Sequence, residues 1–414
     1  MAEDEKTSAV ANSTDMPNVV SDSPNRQHED RLPSWGKVFS YFFLLGFINI
    51  GGPVAQITMM FNHMVEKQCW LTKDRFTKIM AFCHMLPGPE ALQLAIYVGY
   101  LKRGIIGGTL AGATFIIPGA ALMILLSYLY VAYGSLPQVN DILFILKPAV
   151  LGIIAAGIIK LGRAAVKNIF LGCVVIGAIL AMVVAKLNFL FVLILAGFIN
   201  LVYAEFTAKL RGPSKLLAIS PLAWGGVKVG FWSGANVGWL QIAWLFLKTG
   251  ALSFGGAYAS LIFMQHGAVE QYHWLTDGQL LDGVALSVAT PGPFMLFTTF
   301  VGYLAAGVPG AILATFFVFL PSFVFVIAGA RYVELVRSNR YIQAFLAGGG
   351  AAVVGIIAVV SLKLIPDAVA AGVPSYVITG LAFLAIMWRK IDVALVAIAA
   401  MIVGIGYAIF HYVY

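Results

Sequence analysis

Leu86-Pro87-Gly88-Pro89-Glu90-Ala91 sits in the middle of an otherwise apolar segment, and its core returns 204 positions later as Pro291-Gly292-Pro293. The same offset carries Gly51-Gly52 onto Gly255-Gly256 and Trp70-Leu71-Thr72 onto Trp274-Leu275-Thr276. After a slip of one residue, Gly99-Tyr100-Leu101 matches Gly302-Tyr303-Leu304. Gly104, Gly107, Pro118, Gly152 and Lys160 then match Gly307, Gly310, Pro321, Gly355 and Lys363. So many ordered matches at one spacing mean that the chain is one unit written twice. Each copy holds six apolar segments. They are 38–61, 79–101, 104–131, 141–161, 168–185 and 188–205, then 241–265, 280–304, 308–330, 341–364, 373–388 and 391–411.

Composition places these segments in a membrane. Of 414 residues 60% are hydrophobic and only 11% are charged, under half the charge of an ordinary soluble domain, and the mean hydropathy is +0.91. Most segments approach the roughly 20 residues that a helix needs to cross a bilayer. Cys69, Cys83 and Cys173 form no CxxC, which argues against a disulfide framework or a zinc site. No cofactor, metal or nucleic acid is expected. The net charge of +8 is uneven: residues 1–34 hold seven acidic and three basic side chains, a net −4, which leaves +12 on the remainder. The first 34 residues read as a disordered cytoplasmic tail. The basic remainder reads as membrane topology first and attraction for an anion second.

Loop charge fixes orientation, because cytoplasmic loops collect Lys and Arg. Loop 62–78 has Lys67, Lys73, Arg75 and Lys78, while its counterpart 266–279 has none. Lys102-Arg103 corresponds to Ala305-Ala306. Conversely, 132–141 has neither residue type and 331–340 has Arg331, Arg337 and Arg340. Equivalent loops of opposite bias predict repeats inverted relative to each other, with segment 216–238 as a linker helix that supplies the odd crossing. Gly226, Gly230, Gly234 and Gly238 in that linker form a small-xxx-small stripe, suited to an internal contact or a homodimer.

The tail, 62–78 and 102–103 all read as inside, yet segments 38–61 and 79–101 lie between them. Both are broken at mid-length, into pieces of roughly 12–20 Å of helix against a core of about 30 Å. They are therefore expected to be re-entrant hairpins, or half-crossings that meet near the midplane; the competing arrangement, thirteen full spans, puts 62–78 outside against the charge rule. Lys186 and Lys363 are the basic residues left outside. The fold class is an all-α polytopic membrane protein of two inverted-topology repeats with Gly/Pro-broken re-entrant helices. Its parts are 35–210, a linker at 211–238 and 239–414, with membrane lipid around them.

A broken membrane helix leaves backbone N–H and C=O groups that lipid cannot satisfy, so breaks persist where they line an enclosed cavity. Half-helix N-termini there offer N–H groups and positive dipole ends to an anion. Pro89 and Pro293 are expected at the first helical position. Four breaks in two related pairs predict one central pocket: Gly51, Gly52 and Pro53; Pro87, Gly88 and Pro89; Gly255 and Gly256; Pro291, Gly292 and Pro293. Polar neighbours Asn49, Gln56, Gln93, Ser253 and Thr290 are the candidate binding side chains. Lys248, in an apolar stretch, is a candidate anion contact or a snorkelling cation. Glu90 has Phe294 as its counterpart, which makes the pocket asymmetric. It is the candidate proton carrier, since a bare carboxylate would repel a dianion. Its simpler role is in the helix dipole.

Gly51-Gly52-Pro53, Leu86 to Ala91, Lys248-Thr249-Gly250-Ala251-Leu252-Ser253-Phe254-Gly255-Gly256 and Ala289-Thr290-Pro291-Gly292-Pro293 resemble the paired signatures of the chromate transporter family. The resemblance runs from about 36 to 411 and is to the long, fused two-half members. It implies export of chromate across the bacterial inner membrane, hence chromate resistance, and a relation to sulfate, a dianion of similar shape. One departure is Ile50, where the second copy has Phe254. No GxxxxGK[ST] motif occurs, so transport is expected to draw on protons or the membrane potential rather than ATP. Sulfate or other oxyanion uptake and an anion channel are the alternatives. An enzyme is not expected, for want of a nucleophile or acid/base constellation.

Overall fold

The computed structural model describes residues 34–49, 53–134, 136–209, 238–254, 256–330, 339–370 and 372–413. They fold into helices, with no strand among the described residues. The first copy comprises α1 (Trp35–Ile48), α2 (Pro53–Phe61), α3 (Lys73–Cys83), α4 (Glu90–Tyr133), α5 (Pro137–Ala165), α6 (Ile169–Val183) and α7 (Phe189–Lys209). The second comprises α8 (Trp239–Leu252), α9 (Ser260–Met264), α10 (Asp277–Ala289), α11 (Phe297–Gly329), α12 (Arg340–Ala368), α13 (Val373–Met387) and α14 (Val393–Val413). Each helix has its partner at the offset read from sequence. The duplication reaches the backbone: Cys69 and His273, and Lys186 and Lys390, share positive φ, as do Gly88 and Gly292 at 114°. Thr72 and Thr276 cap α3 and α10, accepting from Arg75 N and Gln279 N at 3.3 and 3.2 Å. Pi-helical turns at Asn62–Lys67 and Gln265–Gln271 follow α2 and α9.

The broken segments are hairpins. Tyr41 on α1 stacks on His63 beyond α2, with ring centroids 3.7 Å apart, so the chain has reversed between them. Phe82 on α3 meets Tyr97 on α4 at 5.8 Å. A straight helix would put those residues over 20 Å apart. In the second copy Phe246 stacks on Trp274 at 6.4 Å, and the Phe300 ring lies against Gly283. Inside α4 the backbone leaves helical geometry at Arg103 and Gly104, and inside α11 at Ala306 and Gly307. Each long helix is thus a short hairpin leg followed by a full crossing.

The long legs of α4 and α11 run antiparallel. Ile105 shares a groove with Ile327, Gly112 abuts Phe323, and Tyr130 meets Phe300 at 5.0 Å. Equivalent helices pointing opposite ways are an inverted repeat. The hairpins of one copy therefore approach those of the other tip to tip. Six helices have the length and apolarity to cross a bilayer, which makes this a multi-pass membrane protein.

The tail 1–33, Ile50 to Gly52, Gly255, the stretch 331–338 and most of the linker, 211–237, lie outside the described residues. One placement differs from expectation. Pro89 and Pro293 are N-cap residues with extended ψ, not first helical residues. The turn through the positive-φ glycine needs one more extended residue before helical geometry can begin. Lys363, an outside cation in the sequence, is paired with Glu270. Burial alone would raise that carboxyl, yet hydrogen bonds from Lys363, His266 and Gln265 hold it at about 2.

Candidate functional site

The hairpin tips of one copy bond to those of the other in two pairs. Gly88 N–H donates to the Ser253 carbonyl at 3.0 Å, and Gly292 N–H donates to the Asn49 carbonyl at 2.9 Å. Asn49 and Ser253 end α1 and α8 with matching backbones (φ −81°, ψ 78° and φ −77°, ψ 66°). The pair of bonds is one contact made twice about the pseudo-two-fold axis. Gln56 crosses as well, its Nε2 donating to the Gly292 carbonyl at 3.1 Å. Of the sequence-predicted residues, these bonds join Gly88 to Ser253, and Asn49 and Gln56 to Gly292.

The side chains at this junction divide into satisfied and unsatisfied groups. Ser253 Oγ donates to the Thr249 carbonyl at 2.6 Å, and Thr290 Oγ1 to the Ser287 carbonyl at 3.3 Å. Gln93 Nε2 donates to the Pro87 carbonyl at 2.6 Å, closing the turn ahead of α4. Both polar atoms of the Asn49 side chain, Gln93 Oε1 and Ser322 Oγ are buried with no partner. Asn49, Gln93 and Ser322 are wholly buried. An unmade buried hydrogen bond costs about 1–3 kcal/mol, and these atoms lie beside the cross-bonded tips: the Asn49 side chain where its own backbone meets Gly292, while Gln93 and Ser322 form a polar patch where Gly88 meets Ser253. The helix starting at Glu90 adds to that patch, since Pro89 provides no side-chain cap. Its first-turn N–H groups and dipole end favour an anion. Sequence analysis did not mark Ser322, which reaches Gly88 from α11.

The two charged candidates lie differently. Glu90 opens α4 and its carboxylate meets His84 Nδ1 at 2.8 Å, both side chains partly exposed. Lys248 is half-buried on α8, and among the described residues no carboxylate lies within ion-pair reach of it. Its neighbours Thr249 and Gly250 are fully buried against the helix bundle.

A second ionic cluster escaped the sequence reading. Asp282 on α10 is buried. Lys147 of α5 lies 3.1 Å from its carboxylate, and Tyr130 of α4 donates to it at 2.8 Å. Asp282 and Lys147 each interrupt an apolar segment, which is the signal that could have flagged them; their pairing across the repeats leaves no local signal.

The sequence profile of the family described as "Chromate transporter" matches residues 36–201 and again 240–405, one match for each copy. The "Chromate transport protein" of Pseudomonas aeruginosa is 34% identical over 389 residues, covering 90% of this chain and 92% of the relative. That of Cupriavidus metallidurans is 35% identical over 323 residues, 77% and 79% of the two chains. The "Probable chromate transport protein" of Synechococcus elongatus is 29% identical over 397 residues, 93% and 99%. No solved structure matches the chain.

Proposed function

The chain belongs to the chromate transporter family, matched over both repeats, and on that premise we propose that it is a secondary transporter that exports chromate across the bacterial inner membrane and so confers chromate resistance. The observation that carries this reading is the cross-repeat bonding of the hairpin tips, beside which the Asn49 side chain, Gln93 Oε1 and Ser322 Oγ are buried with no hydrogen-bond partner. A tetrahedral oxyanion accepts from several directions at once. The Asn49 amide, the Ser322 hydroxyl and the first N–H groups of α4 are donors suited to it. The tip residues Pro87, Gly88, Pro89, Gly256, Pro291, Gly292 and Pro293 are the proposed walls, and Gly51, Gly52, Pro53 and Gly255 are assigned with them from the sequence alone. Gln56, Ser253 and Thr290 hold those walls in register. Repeats that rock about this junction would expose it to one side and then the other.

An inside-negative potential drives anions outward, by about 2.3 kcal/mol per charge per 100 mV, so export needs no nucleotide. Glu90, held by His84, is the group that would take up a proton beside the anion. The parts of the chain are a cytoplasmic tail at 1–34, repeats at 35–210 and 239–414, and the linker between them. A reporter fused after Lys73 should read cytoplasmic and one after Gln271 periplasmic. Both on one side would contradict the inversion.

Uptake of labelled chromate into everted vesicles tests the function. It should saturate, run uphill when energised and fall when sulfate competes. Downhill flux alone would mean a channel, and sulfate transport without chromate transport would reassign the substrate. Lys248 is the cation that would draw the anion toward the junction. Lys248→Gln should cut uptake about tenfold or more at normal protein level, with Lys248→Arg retaining part of it. Full activity in Lys248→Gln would make this lysine a snorkelling residue.

A further inference from the structure

We propose that Asp282, Lys147 and Tyr130 form a second oxyanion site, in which the Asp282 carboxylate occupies the Lys147 ammonium until a proton displaces it. The inference rests on the transport reading above. The Asp282 side chain is 3% exposed and that of Lys147 is 24% exposed. The carboxylate is thus sealed while the cation retains an open side. Asp282 belongs to the second repeat, and Lys147 and Tyr130 belong to the first, so the cluster bridges the two bodies whose relative movement transport requires. Asp282 lies nine residues before Pro291, about 13 Å along the hairpin from the tips, and so stands off the junction on one side of it.

The fold does not need this cluster. At the equivalent positions the first repeat has Lys78 in place of Asp282, and the second has Gly350 in place of Lys147 and Val333 in place of Tyr130. Lys78 there is exposed and paired with Asp74 on its own helix. The same architecture therefore closes without a buried ion pair, although burying one is costly. A carboxylate held by one ammonium and one hydroxyl is also the arrangement that an oxyanion would make with the same two donors. Asp282 and a dianion compete for Lys147.

The proton balance is simple. One proton from water binds the Asp282 carboxylate, Tyr130 keeps its hydroxyl proton, and Lys147 stays an ammonium ion and changes partner to the anion. Asp367 of α12 adds negative charge near Asp282. Asp277 lies on α10 itself. On α5, Asp141 is bonded to His411 of α14, and Lys160 and Arg163 lie toward the other end of the helix. The π turn at Gln265–Gln271 contributes His266 and Glu270, bonded to each other, and Glu270 also holds Lys363. α11 presents the Phe300 ring to Tyr130 and carries Tyr303; α14 carries Tyr407 and Tyr412 near its end.

The test is calorimetric titration of the purified full-length protein with chromate, at a pH where chromate is the dianion. Two buffers of different ionisation enthalpy give the protons taken up per anion. Asp282→Asn should bind chromate several-fold more tightly and take up one proton fewer than wild type. Lys147→Gln should bind about tenfold or more weakly. A salt bridge that only locks the repeats would leave the proton count unchanged, and that result overturns the proposal. Undetectable chromate binding by wild type would instead remove the transport reading and this inference with it. A second measurement needs no substitution at the cluster. In Glu90→Gln, chromate should still raise a protonated-carboxyl band in the infrared difference spectrum. Loss of that band would assign the proton to Glu90 and overturn the proposal.

Discussion

Gly88→Ala is expected to abolish chromate transport while the protein still inserts into the membrane. Gly88 has φ +114°, a backbone region that costs a non-glycine residue of order 1–3 kcal/mol. Space is lacking as well. A methyl group there would lie 2.6 Å from Ser322 Oγ and 3.0 Å from Gln93 Nε2. The turn cannot relax without moving the N–H that donates to the Ser253 carbonyl, so the junction between repeats opens where the anion is to be held. Gly292→Ala should act alike, with the same φ and Leu296 Cδ1 at 2.6 Å. Combining Gly88→Ala with Ser322→Ala should rescue only part of the flux, since the collision is relieved and the strained φ remains. Gly104→Ala is the control. Its φ is +64°, but nothing lies within 4 Å of the added carbon, and it sits at a hairpin base, so transport should largely persist. Vesicle uptake normalised to membrane protein level reads all four. Normal uptake by Gly88→Ala would mean that the tips can separate without loss.

The repeats and hairpins were legible in the sequence because each rests on local, redundant signals. Paired Trp-Leu-Thr, Gly-Gly and Pro-Gly-Pro motifs give the duplication, and opposite loop charges give the inversion. Half-length pieces between like-charged loops give the reversal later visible in the Phe82–Tyr97 contact. The meeting of the tips followed from symmetry. The pattern of satisfaction at the junction did not, because it depends on rotamers and distant partners. Ser253 and Asn49 are equivalent in sequence, yet the short Ser253 side chain bonds back to Thr249 within its own helix. The longer Asn49 amide finds nothing. Gln56 was marked as a neighbour of the first break, and its bond goes to the other repeat. Glu90 was marked by its place after Pro89, but nothing local signals that His84, six residues earlier across a turn, would claim it. Asp282 and Lys147 each interrupt an apolar run but were not marked from the sequence, and only the packing of α10 against α5 shows them to be one unit.

Asn49→Leu is expected to lose transport and gain stability at once. The Asn49 side chain is fully buried and neither polar atom has a partner, so the folded protein carries the desolvation cost of an amide with no return. Replacing it with an apolar group of similar size removes that cost, and the change should lie between neutral and about 1 kcal/mol stabilising. The backbone bond from Gly292 N–H to the Asn49 carbonyl does not involve the side chain and should survive, so the architecture of the junction is kept. Chromate would lose a donor placed among the tips. Asn49→Asp preserves shape and reverses the interaction, setting a carboxylate against a dianion at low dielectric, and it should transport no better than Asn49→Leu. Asn49→Ser reproduces the equivalent residue of the other repeat; its hydroxyl would bond back within α1 and leave transport low. Thermal unfolding of the purified variants and uptake in vesicles separate the two effects. An Asn49→Leu protein that is more stable and inactive identifies an amide kept for the ligand. One that is less stable, or that transports normally, would show that the amide serves the fold or serves nothing, and the anion would have to be held by Ser322 and backbone N–H groups alone.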